Sequence, residues 1–197
     1  MTFVNDAVND GKENMPVRIL AISGSLRARS SNSALLRAAA EAAPDYMAIA
    51  CYDGLGTLPP FNPDLDSDGE LEAPAPVADL RRRLKEADGV LICTPEYAGG
   101  LPGALKNALD WVVSSGEFYG KRTAAISASP SPAGGERALA SLLVTLGMLT
   151  ADMPEGAALT VPFVSSKLDG EGRLADPDTL LALKKLLHTL QPNGPLS

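Results

Sequence analysis

Histidine occurs once in the 197 residues, at His188, and cysteine twice, at Cys51 and Cys93. So few imidazole and thiolate donors supply no ligand set for a zinc or His-rich metal site, and two thiols without paired spacing exclude a secreted disulfide framework. Long apolar runs are missing as well. The longest nearly apolar stretch, Leu139 to Leu149, is far short of the roughly 20 residues that span a bilayer. The N-terminal stretch Met1 to Met15 is polar and has no apolar centre, so it reads as a mobile tail rather than a signal peptide or anchor. Positive charge is scarce: 17 Lys and Arg stand against 24 Asp and Glu, a net charge of -7. A chain of that sign has no general attraction for nucleic acid or anionic lipid. Small-molecule partners, no nucleic acid, no membrane and a cytoplasmic location are expected.

What the chain does contain is apolar material for a core. Apolar residues make up 45% and charged residues 21%, the balance of an ordinary globular domain, and residues 16–192 are expected to form a single one. Short apolar runs at Val17 to Ser23, Ala48 to Tyr52, Val90 to Thr94, Thr123 to Ser127 and Ala157 to Val161 read as five strands. Helical patterns cover Asn32 to Ala43, Val77 to Ala87, Gly103 to Ser114 and Gly135 to Leu149, with a fifth over Pro177 to Leu190. In the third, Leu101, Leu105 and Leu109 with Val112 or Val113 recur at spacings of three and four, which marks one buried face. The strands are continuously apolar, as in a parallel sheet covered by helices on both faces. Strict alternation of strand and helix predicts an α/β, doubly wound sheet. The connection Asp53 to Pro76 is long, irregular, proline-rich and acidic, and loops of that length are frequently functional.

Ligands of such sheets bind beyond the carboxyl ends of the strands, which singles out three loops. The first, Ser23 to Ser33 (SGSLRARSSNS), places hydroxyls, an amide and the guanidinium groups of Arg27 and Arg29 at a helix N-terminus. A phosphate monoester needs those groups: free N–H donors, the positive end of the helix dipole and bidentate arginine. Plain helix capping by Ser or Asn is the duller reading, but the loop follows the first strand and offers more hydroxyls than one cap can use. It lacks the G-x-G-x-x-G pattern, and no G-x-x-x-x-G-K-[ST] occurs in the chain, which disfavours a dinucleotide fold or an NTPase. The second loop, Thr94 to Gly103 (TPEYAGGLPG), has glycines that let a ligand approach the main chain. The third, Ser127 to Gly135 (SASPSPAGG), has small side chains that leave room for a flat ring.

On these residues the sequence resembles the NADPH-dependent FMN reductase family, a flavodoxin-like group that includes chromate, quinone and azo-dye reductases. GSLRARSSN at Gly24 to Asn32 is similar to the family's G-S-x-R-x-x-S-x-N phosphate loop, and PEYAGGLPGALKNALDW at Pro95 to Trp111 to its P-E-Y-N-x-x-x-P-G-x-L-K-N-A-x-D-W stretch. SPAGGERA at Ser131 to Ala138 resembles the third loop. One departure is Ala98, where many members have Asn. The resemblance implies a five-stranded parallel sheet of order 2-1-3-4-5 and FMN as cofactor, with NADPH or NADH as donor. It implies that Ser25, Arg27, Ser30, Ser31, Asn32 and Ser33 hold the FMN phosphate. Pro95, Glu96, Tyr97, Ala98 and Gly99 would border the ring, and Ser129 would close the other side. A homodimer or homotetramer is implied too.

The chemistry then belongs to the flavin, whose N5 carries the hydride, and no protein nucleophile is required. The expected activity is ping-pong transfer from NAD(P)H to a small acceptor: a quinone, an azo or nitro compound, chromate or free flavin. A flavodoxin-like electron carrier and a flavin-free interaction module are the alternatives, and the arginine-bearing first loop speaks against the carrier. Cys93 reads as inert strand packing, and Cys51 sits about 9–10 Å away across two strand spacings, too far for a disulfide. Arg81 to Arg83 read as a solvated helix face, and His188 as a complement to a helix C-terminus. Trp111 and Tyr97 are open between a subunit contact and the ring, and Glu96 is assigned no catalysis.

Overall fold

The computed structural model describes residues 15–66 and 73–191. The expected tail lies outside the described residues except for Met15, as do the acidic stretch 67–72 and residue 192. The elements in chain order are β1 (Val17–Ser23), α1 (Ser31–Glu41), β2 (Met47–Tyr52), α2 (Ala75–Glu86), β3 (Gly89–Thr94), α3 (Gly103–Asp110), β4 (Arg122–Ala128), α4 (Glu136–Met148), β5 (Ala158–Val161) and α5 (Pro177–His188). All neighbouring strands pair in parallel, in the order β2-β1-β3-β4-β5. The expected flavodoxin-like doubly wound sheet is therefore the fold.

Alternate residues of the central strands feed two cores. Leu20, Ile22, Val90 and Ile92 meet α2, α3 and α4 on one face, and Ile19, Ala21, Leu91 and Cys93 meet α1 and α5 on the other. Each fully buried Leu or Ile contributes roughly 2 kcal/mol. The reading of continuously covered strands holds for β3, where every residue is buried. It fails for β2, where Ala48, Ala50 and Cys51 are exposed. An edge strand has a neighbour on one side only, so its flank stays open to solvent.

Helix boundaries follow local chemistry. Ser30 caps α1 with its hydroxyl, Asp176 caps α5 just before Pro177, and Pro76 lies in the first turn of α2. The third helix is shorter than expected, ending at Asp110 rather than Ser114. Its terminal carbonyl is taken from outside: the Trp111 oxygen accepts from Arg81 Nε at 3.1 Å and Nη2 at 2.6 Å. Arg81 also pairs with Asp66, whose other oxygen accepts from Ser114 Oγ at 2.6 Å. The solvated-face reading of the arginine run thus holds for Arg82 and Arg83, which pair with Asp79 and Glu86 on the surface, but not for Arg81. Burial would raise the Asp66 carboxyl, but the Ser114 hydroxyl and the Arg81 guanidinium outweigh it and hold the group below the ordinary carboxylate range.

The described part of the long connection is a strap on α3. Asn107 accepts from the Phe61 amide at 2.7 Å and donates to the Pro59 carbonyl at 2.9 Å. Trp111 Nε1 donates to the same carbonyl at 2.8 Å, and its ring meets Phe61 edge-on at 5.1 Å. Trp111 is fully buried, so its place is in this strap. His188 lies in the last turn of α5, where its Nδ1 is 3.2 Å from the Tyr46 hydroxyl.

Candidate active site

Strand order reverses between β1 and β3: the chain leaves β1 for β2 on one side and returns across it to β3 on the other. In doubly wound sheets the loops beside such a reversal point are where ligands bind. In the first loop Ser23 is a hub. Its hydroxyl accepts from Ser33 Oγ at 3.0 Å and from the Ser25 amide at 3.3 Å, and Ser25 Oγ in turn accepts from the Arg27 amide at 3.3 Å. Ser30 Oγ accepts from the amides of Asn32 and Ser33 at 3.2 and 3.5 Å. Asn32 is buried, and its side-chain oxygen accepts from the Cys93 thiol at 3.2 Å. Burial without a charged partner pushes that thiol far above its usual range, so Cys93 is an anchor for α1 rather than a nucleophile. The side chains of Ser30 and Asn32 are thus committed to shaping the loop. Among the described residues Arg27 has no carboxylate partner.

The second loop is a tight turn. Tyr97 and Gly100 exchange backbone hydrogen bonds of 3.1 and 3.0 Å, and between them Ala98 and Gly99 take φ values of 51° and 75°. The left-handed region is unfavourable for Ala but tolerated by Asn and Gly, so Ala98 holds this turn at a local cost. Tyr97 Oη lies 3.4 Å from Ser25 Oγ, so the first and second loops meet. Glu96 ties the second loop to the third. Its carboxylate accepts from the amides of Arg137 and Ala138 at 3.1 and 3.3 Å, capping α4, whose own cap residue is Gly135 and has no side chain. In the third loop Gly134 could carry no Cβ, which would fall 2.5 Å from Thr160 Cγ2 and 2.9 Å from the Pro162 nitrogen. Ser129 is held within its own loop, with its hydroxyl on Ser131 and its backbone bonded to Val161 and Val164.

The model of one family, NADPH-dependent FMN reductase, matches residues 17–165. The chain belongs to the NADPH-dependent FMN reductase family. It is 34% identical over 177 residues to an NAD(P)H-dependent FMN reductase of Pseudomonas aeruginosa, covering 89% of this chain and 94% of that protein. With an NADPH:quinone oxidoreductase of Arabidopsis thaliana it shares 35% over 182 residues, 89% of this chain and 90% of that one. Among solved structures, a flavoenzyme NAD(P)H:(acceptor) oxidoreductase from Paracoccus denitrificans superimposes with a TM-score of 0.76 at 28% identity, covering 88% of this chain and 94% of the other. Membership makes the chain an oxidoreductase that works with FMN and NAD(P)H.

The residues present fit the flavin mononucleotide of this FMN reductase family. The start of α1 offers hydroxyl groups, and the unpaired Arg27 guanidinium is the natural partner of a phosphate dianion. The turn at Ala98 and Gly99 presents main chain rather than side chain. Sequence reasoning placed the three loops but missed what joins them: Glu96 as the cap of α4, and Ser25 with Tyr97. It also missed Ser127, whose buried Oγ has no hydrogen-bond partner among the described residues and lies 3.7 Å from where a Cβ on Gly135 would sit. A helix that starts on glycine with no polar cap of its own was the available signal for an external carboxylate.

Proposed function

We propose that this chain is an FMN-dependent NAD(P)H oxidoreductase, folded as one domain over residues 16–192, that passes electrons by a ping-pong mechanism to a small acceptor, with quinones first among the candidates. The observation that carries the reading is an uncommitted arginine beside the hydroxyl-lined start of α1 at the reversal point of the sheet. Arg27, Ser25, Ser31 and Ser33 hold the phosphate, while Ser30 and Asn32 shape the loop that presents its amides. Pro95, Tyr97, Ala98 and Gly99 border the ring through their backbone, Glu96 fixes that turn against α4, and Ser129 closes the opposite side. Bound FMN supplies hydride acceptance from NAD(P)H and electron donation to the second substrate. The chain contributes position and electrostatics: Arg27 neutralises the phosphate, and the tied loops hold one geometry for both half-reactions. Quinone and FMN reductase relatives support the acceptor class.

A homodimer or homotetramer in the cytoplasm is the proposed working form. Val144 and Met148 on α4, with Tyr119 nearby in sequence to β4, are large apolar side chains left exposed, which supports an oligomer. No helix among the described residues is long and apolar enough to cross a membrane. The test is an anaerobic titration of the FMN-loaded protein with NADPH, followed by a benzoquinone. Bleaching of the flavin band and its return on adding quinone are expected. Binding of FMN without bleaching would leave an electron carrier, and failure to bind FMN would end the reading.

A further inference from the structure

A cavity of about 490 Å³ lies between the start of α1 and the segment after β5. One wall is Arg29, Ser31 and Arg37, and the facing wall is Ser165 with the turn Asp169 to Gly172. Among the described residues neither arginine has a carboxylate within ion-pairing distance. The facing acids are engaged elsewhere. Asp169 accepts from the amides of Arg173 at 2.8 Å and Glu171 at 2.9 Å and from Arg173 Nε at 3.0 Å, and Glu171 pairs with Arg173 Nη2 at 3.0 Å. The Arg173 amide first, then the Arg173 side chain and the Glu171 amide, hold Asp169 below the ordinary carboxylate range. At Gly170 and Gly172 no heavy atom would meet a Cβ within 4 Å, so the turn leaves room before the arginines.

Two guanidinium groups that share an open cavity, each without a carboxylate in ion-pairing distance among the described residues, repel one another. They match a ligand that carries a phosphate monoester, for which planar bidentate donors are the best partners. The proposed FMN phosphate site takes Arg27 and Ser25, so this second anion site falls to the hydride donor. Of the two nicotinamide donors only NADPH carries a monoester, on its adenosine 2′ oxygen. The volume has room for a nucleoside phosphate, and the cavity shares Ser30 and Ser31 with the phosphate loop, which sets it beside the candidate active site.

Resting on the function proposed above, we infer that Arg29 and Arg37 bind the 2′-phosphate of NADPH and that this cavity makes the enzyme prefer NADPH to NADH. The experiment uses the FMN-loaded protein and the variants Arg29→Ala, Arg37→Ala and Arg37→Lys. Calorimetric titration with 2′,5′-ADP and with 5′-AMP should show about ten-fold tighter binding of the former by the parent, the size of one charge-assisted phosphate contact. That preference disappears in either alanine variant and is partly kept by Arg37→Lys. In steady state the alanine variants should raise KM for NADPH by about ten-fold at unchanged kcat, with NADH and the FMN Kd moving by less than about two-fold. Equal effects on both donors, no effect on either, or equal binding of the two adenine nucleotides overturns the inference. Loss of FMN affinity in the variants also overturns it, by assigning the cavity to the flavin phosphate. A parent protein that binds no FMN ends the functional reading instead, and titration of that apoprotein with 2′,5′-ADP still tests the cavity.

Discussion

The amino end of the sheet and the candidate site at its carboxyl end differ in how they treat arginines. At the amino end the cations serve the fold. Arg18 pairs with Asp88 at 3.1 Å, Arg122 with Asp152 at 3.3 Å, and Lys121 donates to the carbonyls of Leu84 and Ala87 at 2.8 and 2.6 Å. At the carboxyl end Arg27, Arg29, Arg37 and Arg137 have no carboxylate partner among the described residues, and the Arg137 side chain lies against Gly99. An arrangement that served stability alone would pair those four with acids, because uncompensated like charges destabilise a compact state. The difference teaches that unpaired charge, more than any single motif residue, marks the end of the molecule where the proposed phosphate site lies.

The comparison can be broken or sharpened at several points, from the largest effect down. Trp111→Ala removes a fully buried ring, its bond to the Pro59 carbonyl and the contact with Phe61. It should cost about 3–5 kcal/mol in urea unfolding while the folded fraction keeps its FMN affinity. Weakened FMN binding at undiminished stability would move the strap from the fold into the site. Arg27→Ala should do the reverse: FMN Kd rises about 30-fold, near 2 kcal/mol, with the apoprotein melting where the parent does. A fall in apoprotein stability of the same size would mean that the first loop's charge serves the fold after all.

Asp66→Asn leaves Arg81 and Ser114 short of their acceptor and should cost about 2 kcal/mol at neutral pH. Because the folded carboxyl titrates below its unfolded value, its contribution is complete above the unfolded pKa of about 4. It is lost as the pH falls through the lowered folded pKa. Stability curves of parent and variant measured against pH should therefore converge in acid; parallel curves would contradict the pairing. Ala98→Asn relieves a left-handed alanine and should add about 1 kcal/mol of stability, seen as a higher Tm, with the turn unchanged. The smallest effect belongs to Arg18→Ala. Half-exposed pairs of this kind are worth less than about 1 kcal/mol, so thermal unfolding should barely move and FMN affinity not at all.

Much of this molecule could be read from residue order. The five strands lie within about one residue of where apolar runs such as Val17 to Ser23 placed them, and the three loops that converge are the ones picked out by Ser, Arg, Gly and Pro. Readings failed where a distant partner decides the outcome. Arg81 in a run of three arginines looks like its neighbours, yet only it reaches the Trp111 carbonyl and Asp66. Glu96 beside a glycine-rich turn carries no sign that its carboxylate caps a helix some forty residues later.

The sequence by itself determined the strand and helix order and the parallel sheet, because periodicity, capping and residue type act over a few neighbouring residues. Only the tertiary structure decided which charges are neutralised. Pairing depends on side chains from separate elements arriving within about 4 Å, and the same arginine is structural beside Asp88 and available to a ligand beside the start of α1.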